Sequence, residues 1–233
     1  MKYLISLVVG MVVGVVAFLA LLYYNPMTSQ NILSPLSVSD NEVITFNYSA
    51  VATDALVFTN DGKSTVAPYP SKVLQLWEPT VRLTDAMATV LRDGRNQPAA
   101  IGIKFSSRSE SSRILNGEAI IDSAWHIYVP GQGSLFVEQQ ENYWGYLREI
   151  VVPAYRSSGD NWRGNWNGTL TSGPGALGTA RVFGGSGEFE DLETEGVEAL
   201  SAKAYSVKHG PVAVDGMLSV ELPAPTPDPT PDP

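Results

Sequence analysis

The fold that this sequence predicts is all-β: an antiparallel β-barrel of about eight strands, preceded by one transmembrane helix. Three observations predict it. Residues 3–24 form an uncharged apolar run, most of the remaining chain alternates apolar and polar residues with period two, and turn-forming pairs separate those alternations at regular spacing.

The apolar run comes first. As a helix rising 1.5 Å per residue it reaches about 33 Å, the thickness of a bilayer's hydrocarbon core. It exceeds the hydrophobic stretch of a signal peptide. It also meets Tyr23, Tyr24, Asn25 and Pro26 rather than a small-x-small cleavage site, so it reads as a retained anchor over residues 1–24. Tyr23 and Tyr24 suit a membrane interface. Lys2 is the only basic residue before the run and Lys63 the next, whereas Asp40, Glu42, Asp54 and Asp61 follow it. That asymmetry predicts a single-pass protein with a cytoplasmic N-terminus and a periplasmic or extracellular main domain. Ser6, Gly10 and Gly14 recur at intervals of four, the small-xxx-small pattern of packed membrane helices, and predict a helix face on which a homo-oligomer can form.

Residues 25–40 (NPMTSQNILSPLSVSD) read as a linker and residues 41–222 as the main domain. Within it, Ile44, Phe46 and Tyr48 alternate with polar neighbours, as do Ile101, Ile103 and Phe105. Ile121, Trp125, Ile127 and Val129 alternate with Asp122, His126 and Tyr128. Trp162, Gly164, Trp166, Gly168 and Leu170 share one face, and Val212, Val214, Gly216, Leu218, Val220 and Leu222 another. Successive strand side chains point to opposite faces, so each segment reads as a half-buried strand. Turn signals lie between them at Asp93-Gly94, Asn116-Gly117, Pro130-Gly131, Ser158-Gly159-Asp160, Gly173-Pro174-Gly175 and His209-Gly210-Pro211. Residues 84–92 and 142–150 fit a short helix or a strand equally well. Residues 223–233 (PAPTPDPTPDP) carry proline at every second position and predict a stiff, extended tail.

Composition bounds the chemistry. The formal net charge of −9 disfavours nucleic acid as a partner. With no cysteine, disulfides, thiol nucleophiles and thiolate metal sites are excluded. Gly173-Pro174-Gly175-Ala176-Leu177-Gly178 matches a dinucleotide fingerprint in spacing, but a strand pattern follows it where the pyrophosphate needs a helix N-terminus. It therefore reads as a strand-connecting loop. The chain has two histidines, His126 and His209, and no zinc or serine-hydrolase motif surrounds either. Asp122 and His126 share a strand face but stand about 13 Å apart along it, too far for a hydrogen bond. The acidic run Glu188, Glu190, Asp191, Glu193, Glu195 and Glu198 lacks calcium-loop spacing and reads as a solvated face. No metal site and no cofactor are expected. The candidates for a ligand-binding role are Trp162 and Trp166, as an aromatic platform, with His126 and Asp122 as polar groups.

Gly184-Gly185-Ser186-Gly187-Glu188-Phe189, preceded by a strand, resembles the Gly-Gly-Thr/Ser-Gly-x-Phe signature of the allene oxide cyclase and dirigent barrel-like superfamily. The resemblance covers roughly residues 92–222. Asp191 and Thr194 stand near the places where those families have two further glycines, and no catalytic residue of the family can be carried over. The resemblance implies an eight-stranded barrel with a central cavity, often dimeric or trimeric. The expected function is therefore a membrane-anchored, non-enzymatic barrel that binds an apolar small molecule or a partner protein. The alternatives are a cyclase- or isomerase-like enzyme acting in the cavity, and a structural envelope protein.

Overall fold

A computed structural model describes residues 2–24, 42–51, 57–60, 63–65 and 84–222. The expected linker and the C-terminal tail lie outside the described residues. Helix α1 (Lys2–Tyr24) forms where the apolar run predicts one, and its described side chains are exposed and apolar around the whole circumference. The expected transmembrane span is not found: among the described residues no helix is long and apolar enough to cross a membrane. Gly10 and Gly14 are open, a Cβ at either meeting nothing within 4 Å, and Ser6 is exposed one turn before them.

Among the described residues twelve strands form one antiparallel sheet. They are β1 (Glu42–Ser49), β2 (Val57–Asn60), β3 (Lys63–Thr65), β4 (Asp85–Arg92), β5 (Pro98–Arg108), β6 (Ile120–Val129), β7 (Gly133–Asn142), β8 (Asn161–Thr169), β9 (Thr171–Gly173), β10 (Ala180–Gly187), β11 (Glu193–Ser206) and β12 (Gly210–Leu222). Eight of them close a ring in the order β1-β12-β11-β10-β7-β6-β5-β4. The ring joins β4 back to β1 through a single register pair, Asn47 with Arg92. The hairpin β2–β3 pairs onto β4, β8 onto the second half of β11, and β9 onto β7. Residues 84–92 thus resolve as a strand. Residues 142–150 resolve mainly as helix: α2 (Trp144–Tyr146) runs through a π-helical turn (Leu147–Val151) into α3 (Val152–Arg156).

The turn chemistry works as its residues dictate. At the β4–β5 turn Asp93 Oδ1 accepts the backbone N–H groups of Arg95 at 2.9 Å and Gln97 at 2.8 Å, the Asx geometry that lets a carboxylate shape its own turn. The loop of residues 173–178 joins β9 to β10, so the glycine-rich stretch is a strand connection as expected. The Gly184–Phe189 motif closes one end of the ring. Gly187 has φ of +69° and lies against the carbonyl of Gln132, and the turn it makes drives Phe189 into the interior at 6 % exposure.

Two cores result. Inside the ring Phe46, Leu91, Trp125, Ile127, Leu135, Val137, Val182, Phe189, Leu218 and Val220 pack together and fill the end that the motif closes. In a second core, nearer the helical segment, Tyr146 and Ile150 pack on Leu170, Leu200, Ala202 and Val214. The parity read from β6 and β12 holds for Trp125, Ile127, Val129, Val214, Leu218 and Val220, which are buried, while His126, Tyr128 and Met217 are exposed; it fails at Val212, which is exposed where the β11–β12 register shifts. In β5 the large apolar residues are the outward ones. Ile101 and Phe105 are exposed, and Ala100, Gly102 and Lys104 face inward.

Candidate functional site

Lys104 is the anomaly that locates the site. A lysine on the inner face of a closed ring needs its charge matched. The match comes from two other strands, Glu141 on β7 and Glu198 on β11, both fully buried. Lys104 Nζ stands 2.5 Å from Glu141 Oε1 and 2.6 Å from Glu198 Oε1.

The surrounding residues complete the arrangement. Trp125 of β6 donates its Nε1–H to Glu198 Oε2 at 2.9 Å, and its ring centroid lies 5.3 Å from Lys104 Nζ, within reach of a cation–π attraction. The Tyr48 hydroxyl donates to Glu198 Oε1 in a short hydrogen bond. Both rings fit because glycines face them: a Cβ on Gly216 would strike the Tyr48 ring, and one on Gly102 would crowd Trp125. Tyr48 and Trp125 meet edge to face at 5.0 Å. Gln139 donates through Nε2 to Glu141 Oε1 at 2.7 Å and also to Glu198 Oε2. Its amide is oriented by Thr171 of β9, whose Oγ1 accepts the Glu198 backbone N–H at 2.7 Å and donates to Gln139 Oε1 at 2.8 Å. Ser123 donates to Glu141 Oε1 at 2.6 Å. Glu198 thus has both oxygens engaged, whereas Glu141 has its load on Oε1 and no partner at Oε2.

That imbalance sets the electrostatics. Burial pulls the Lys104 ammonium toward neutrality, but Glu141 and Glu198 outweigh burial and hold it above the usual lysine range. Burial also opposes the Glu198 anion. The charge of Lys104, with the hydrogen bonds from Lys104, Tyr48 and Trp125, reverses the effect and holds it below the usual carboxylate range. For Glu141 burial wins over Lys104, with Glu198 adding repulsion, and the carboxyl is pushed up to about 7. Burial, then the nearby carboxylates, keep the Tyr48 and Tyr143 hydroxyls protonated well above the ordinary phenol range. Lys104 is therefore a fixed cation, which excludes amine nucleophilicity near neutral pH.

A cavity of about 350 Å³ lies over this cluster at the open end of the ring, lined by residues that include Tyr48, Met87, Lys104, Tyr143, Leu200 and Val214. Lys104 keeps 7 % side-chain exposure while both glutamates have none, so Lys104 is the member of the trio that lines the cavity. Among the described residues no group of three or more His, Cys, Asp or Glu side chains can hold a metal ion.

No protein-family model matches the chain, and no curated protein matches it. The site is therefore read from its own geometry.

The residues singled out from sequence stand elsewhere. His126 points outward and stacks on Phe136 at 4.6 Å. Asp122, on the same outer parity of β6, accepts from Gln140 Nε2 at 3.0 Å. Trp162 and Trp166 pack against the second core, where the Trp166 ring meets Tyr146 edge to face at 5.7 Å and its Nε1–H donates to Glu149 at 3.0 Å. The structure does not bring these four together, and none of them lines this cavity, although Asp122 lines a second pocket of about 300 Å³ with Glu138 and Gln140. In the acidic run, Glu198 is the exception to solvation. A signal for it exists in the sequence: it occupies the parity of Gly196, Leu200 and Ala202. Gln139 and Glu141 likewise share the parity of Leu135 and Val137.

Proposed function

We propose that the ring is a β-barrel of the kind suggested by the Gly184–Phe189 motif, and that its function is to bind a small, largely apolar molecule in the cavity without chemical conversion. The observation that carries this reading is the cavity itself. At about 350 Å³ it is at the lower end of the range for small-molecule sites, about 300–1,000 Å³. Its walls are apolar and aromatic, with a few converging polar groups at Lys104, Tyr48 and Tyr143. Attachment to a membrane through α1, with the barrel on the extracytoplasmic side, is part of the proposal. It is supported by the uncharged run of residues 3–24 and by the apolar circumference of the helix. Self-association is supported by Gly10 and Gly14 on one helix face, and by Ile101, Phe105, Tyr128 and Phe136 exposed on the outer face of the ring.

Native mass spectrometry of the full chain, released gently from amphipol, tests the reading. A bound small molecule, displaced when Ala50→Phe fills the cavity, is the expected result. A protein that carries nothing and takes up no apolar probe would overturn it. The cluster of Glu141, Lys104 and Glu198 favours a second reading, an isomerase that shifts a proton on a substrate held against Lys104. Turnover of the bound molecule in the same preparation would replace the first reading with the second.

A further inference from the structure

The hydrogen-bond ledger around Lys104 and Glu141 leaves two vacancies of opposite kind. A lysine ammonium has three N–H donors. Two are taken, by Glu141 Oε1 and Glu198 Oε1, and the residue lines the cavity. Glu141 Oε1 receives Lys104, Ser123 and Gln139, while the buried Oε2 has no well-aligned donor, the Tyr143 hydroxyl lying close enough to this carboxyl for its pKa to be raised by it. With both carboxylates ionised the trio carries one net negative charge in a sealed interior. Oε2 is then the position where a proton can be added without breaking an existing bond.

We propose that the cavity selects a small organic carboxylate, seated with its anionic group on the third N–H of Lys104 beside the Tyr143 hydroxyl, and that seating it places a proton on Glu141 Oε2. The proposal rests on the reading of the cavity as a ligand site. The physical reason is charge balance. A ligand carboxylate on Lys104 competes with Glu141 for the same cation and repels it, so the carboxyl with fewer bonds gives up its charge. Glu198, with both oxygens engaged, keeps its own. The titratable neighbours of Glu141 push in opposite directions, Lys104 favouring its anion and Glu198 opposing it, and each keeps its own charge near neutral pH. Lys104 on β5 is a fixed cation, Glu198 on β11 a fixed anion, and Tyr48 on β1 and Tyr143 beyond β7 are neutral phenols. Glu141 already stands near neutrality for protonation, at about 7, so the shift that the ligand must supply is small. Asp85, the other charged lining residue, is paired in register with Ser106, one same-face step along from the Met87–Lys104 pair. It leaves the Lys104 position to the ligand's anionic end and the Met87, Leu200 and Val214 walls to its apolar body.

Isothermal titration of the full chain in amphipol with hexanoate and with 1-hexanol tests this, using buffers of different ionisation heat at about pH 8 and about pH 5.5. The expected results are tighter binding of hexanoate than of hexanol at the lower pH, and uptake of up to about one proton per hexanoate at the higher pH, vanishing at the lower. Hexanoate affinity should also fall by up to about tenfold per pH unit above neutrality. In Glu141→Gln, hexanoate should still bind, with no proton uptake and a flat pH dependence. Hexanoate binding without proton uptake in the unmodified protein, or hexanol binding as well as hexanoate, would overturn the inference while leaving the cavity a ligand site. Failure of both probes to bind would remove the ligand-site reading and the inference with it.

Discussion

Glu198 ties four strands of the ring to its own. It accepts hydrogen bonds from Tyr48, Lys104, Trp125 and Gln139, contributed by four other strands of the ring. Truncation to alanine leaves those donors buried without their acceptor and Lys104 with one counter-ion. Denaturant unfolding should show a loss of about 3–5 kcal/mol for Glu198→Ala, and a smaller loss for Glu198→Gln, which keeps the shape. Glu141 behaves oppositely with pH. Burial pushes its carboxyl up to about 7 in the folded protein against 4.5 for a solvated glutamate, so between those values the folded state holds a proton that the unfolded chain has released. The contribution is fully present below about pH 4.5, declines as pH rises to about 7 and is absent above, a span of about 3 kcal/mol. Subtracting the stability profile of Glu141→Gln from that of the unmodified protein should isolate this decline, and two parallel profiles would contradict the assignment.

At the scale of elements, strands and turns were legible in the sequence, and the inner face of β5 was not. Period two identifies a strand but does not say which parity faces in. In β6, and in β12 from Val214 onward, one parity is mainly apolar and the other mainly polar, so burial follows the pattern. In β5 the inner face has to admit the Trp125 ring over Gly102 and the Lys104 side chain, and the larger Ile101 and Phe105 are left outside. The same reason hid the site. Its three charges lie on three strands, and only folding shows that Lys104, Glu141 and Glu198 converge. His126 and Asp122 were attractive by residue type, yet they occupy the outer parity of β6. The Gly184–Phe189 motif was legible as a motif, and the structure gives it a physical role that mutation can check. Gly187→Ala puts a Cβ about where the Gln132 carbonyl sits, at positive φ, and should cost more than about 1 kcal/mol. Gly94→Ala, where a Cβ meets nothing within 4 Å, should change stability by less than about 0.5 kcal/mol in the same thermal melts.

Across the whole molecule, the two ends of the ring differ in kind. One end is packed solid around Phe189 and Leu135; the other holds the charged trio beneath a cavity. A binding function fits that division, with the packed end supplying stability and the open end supplying chemistry. It also explains why the large-scale features were readable while the function was not. Apolar periodicity reports the packed end, and the open end depends on a few polar residues dispersed along the chain. The ring is joined unevenly as well. Most neighbouring strands share several register pairs, from ten between β6 and β7 to four between β10 and β11, but β1 and β4 share one. A ring with one thin joint has a preferred place to part, and opening there leaves the other pairings intact. Amide hydrogen exchange should therefore find the edge of β1 that faces β4 least protected, since β4 is also paired there with β2, and the β6–β7 hairpin most protected. Tyr48, Ala50, Asp85 and Met87 flank that joint and line the cavity, so its opening rate becomes the clock for any molecule that enters or leaves by the side of the ring.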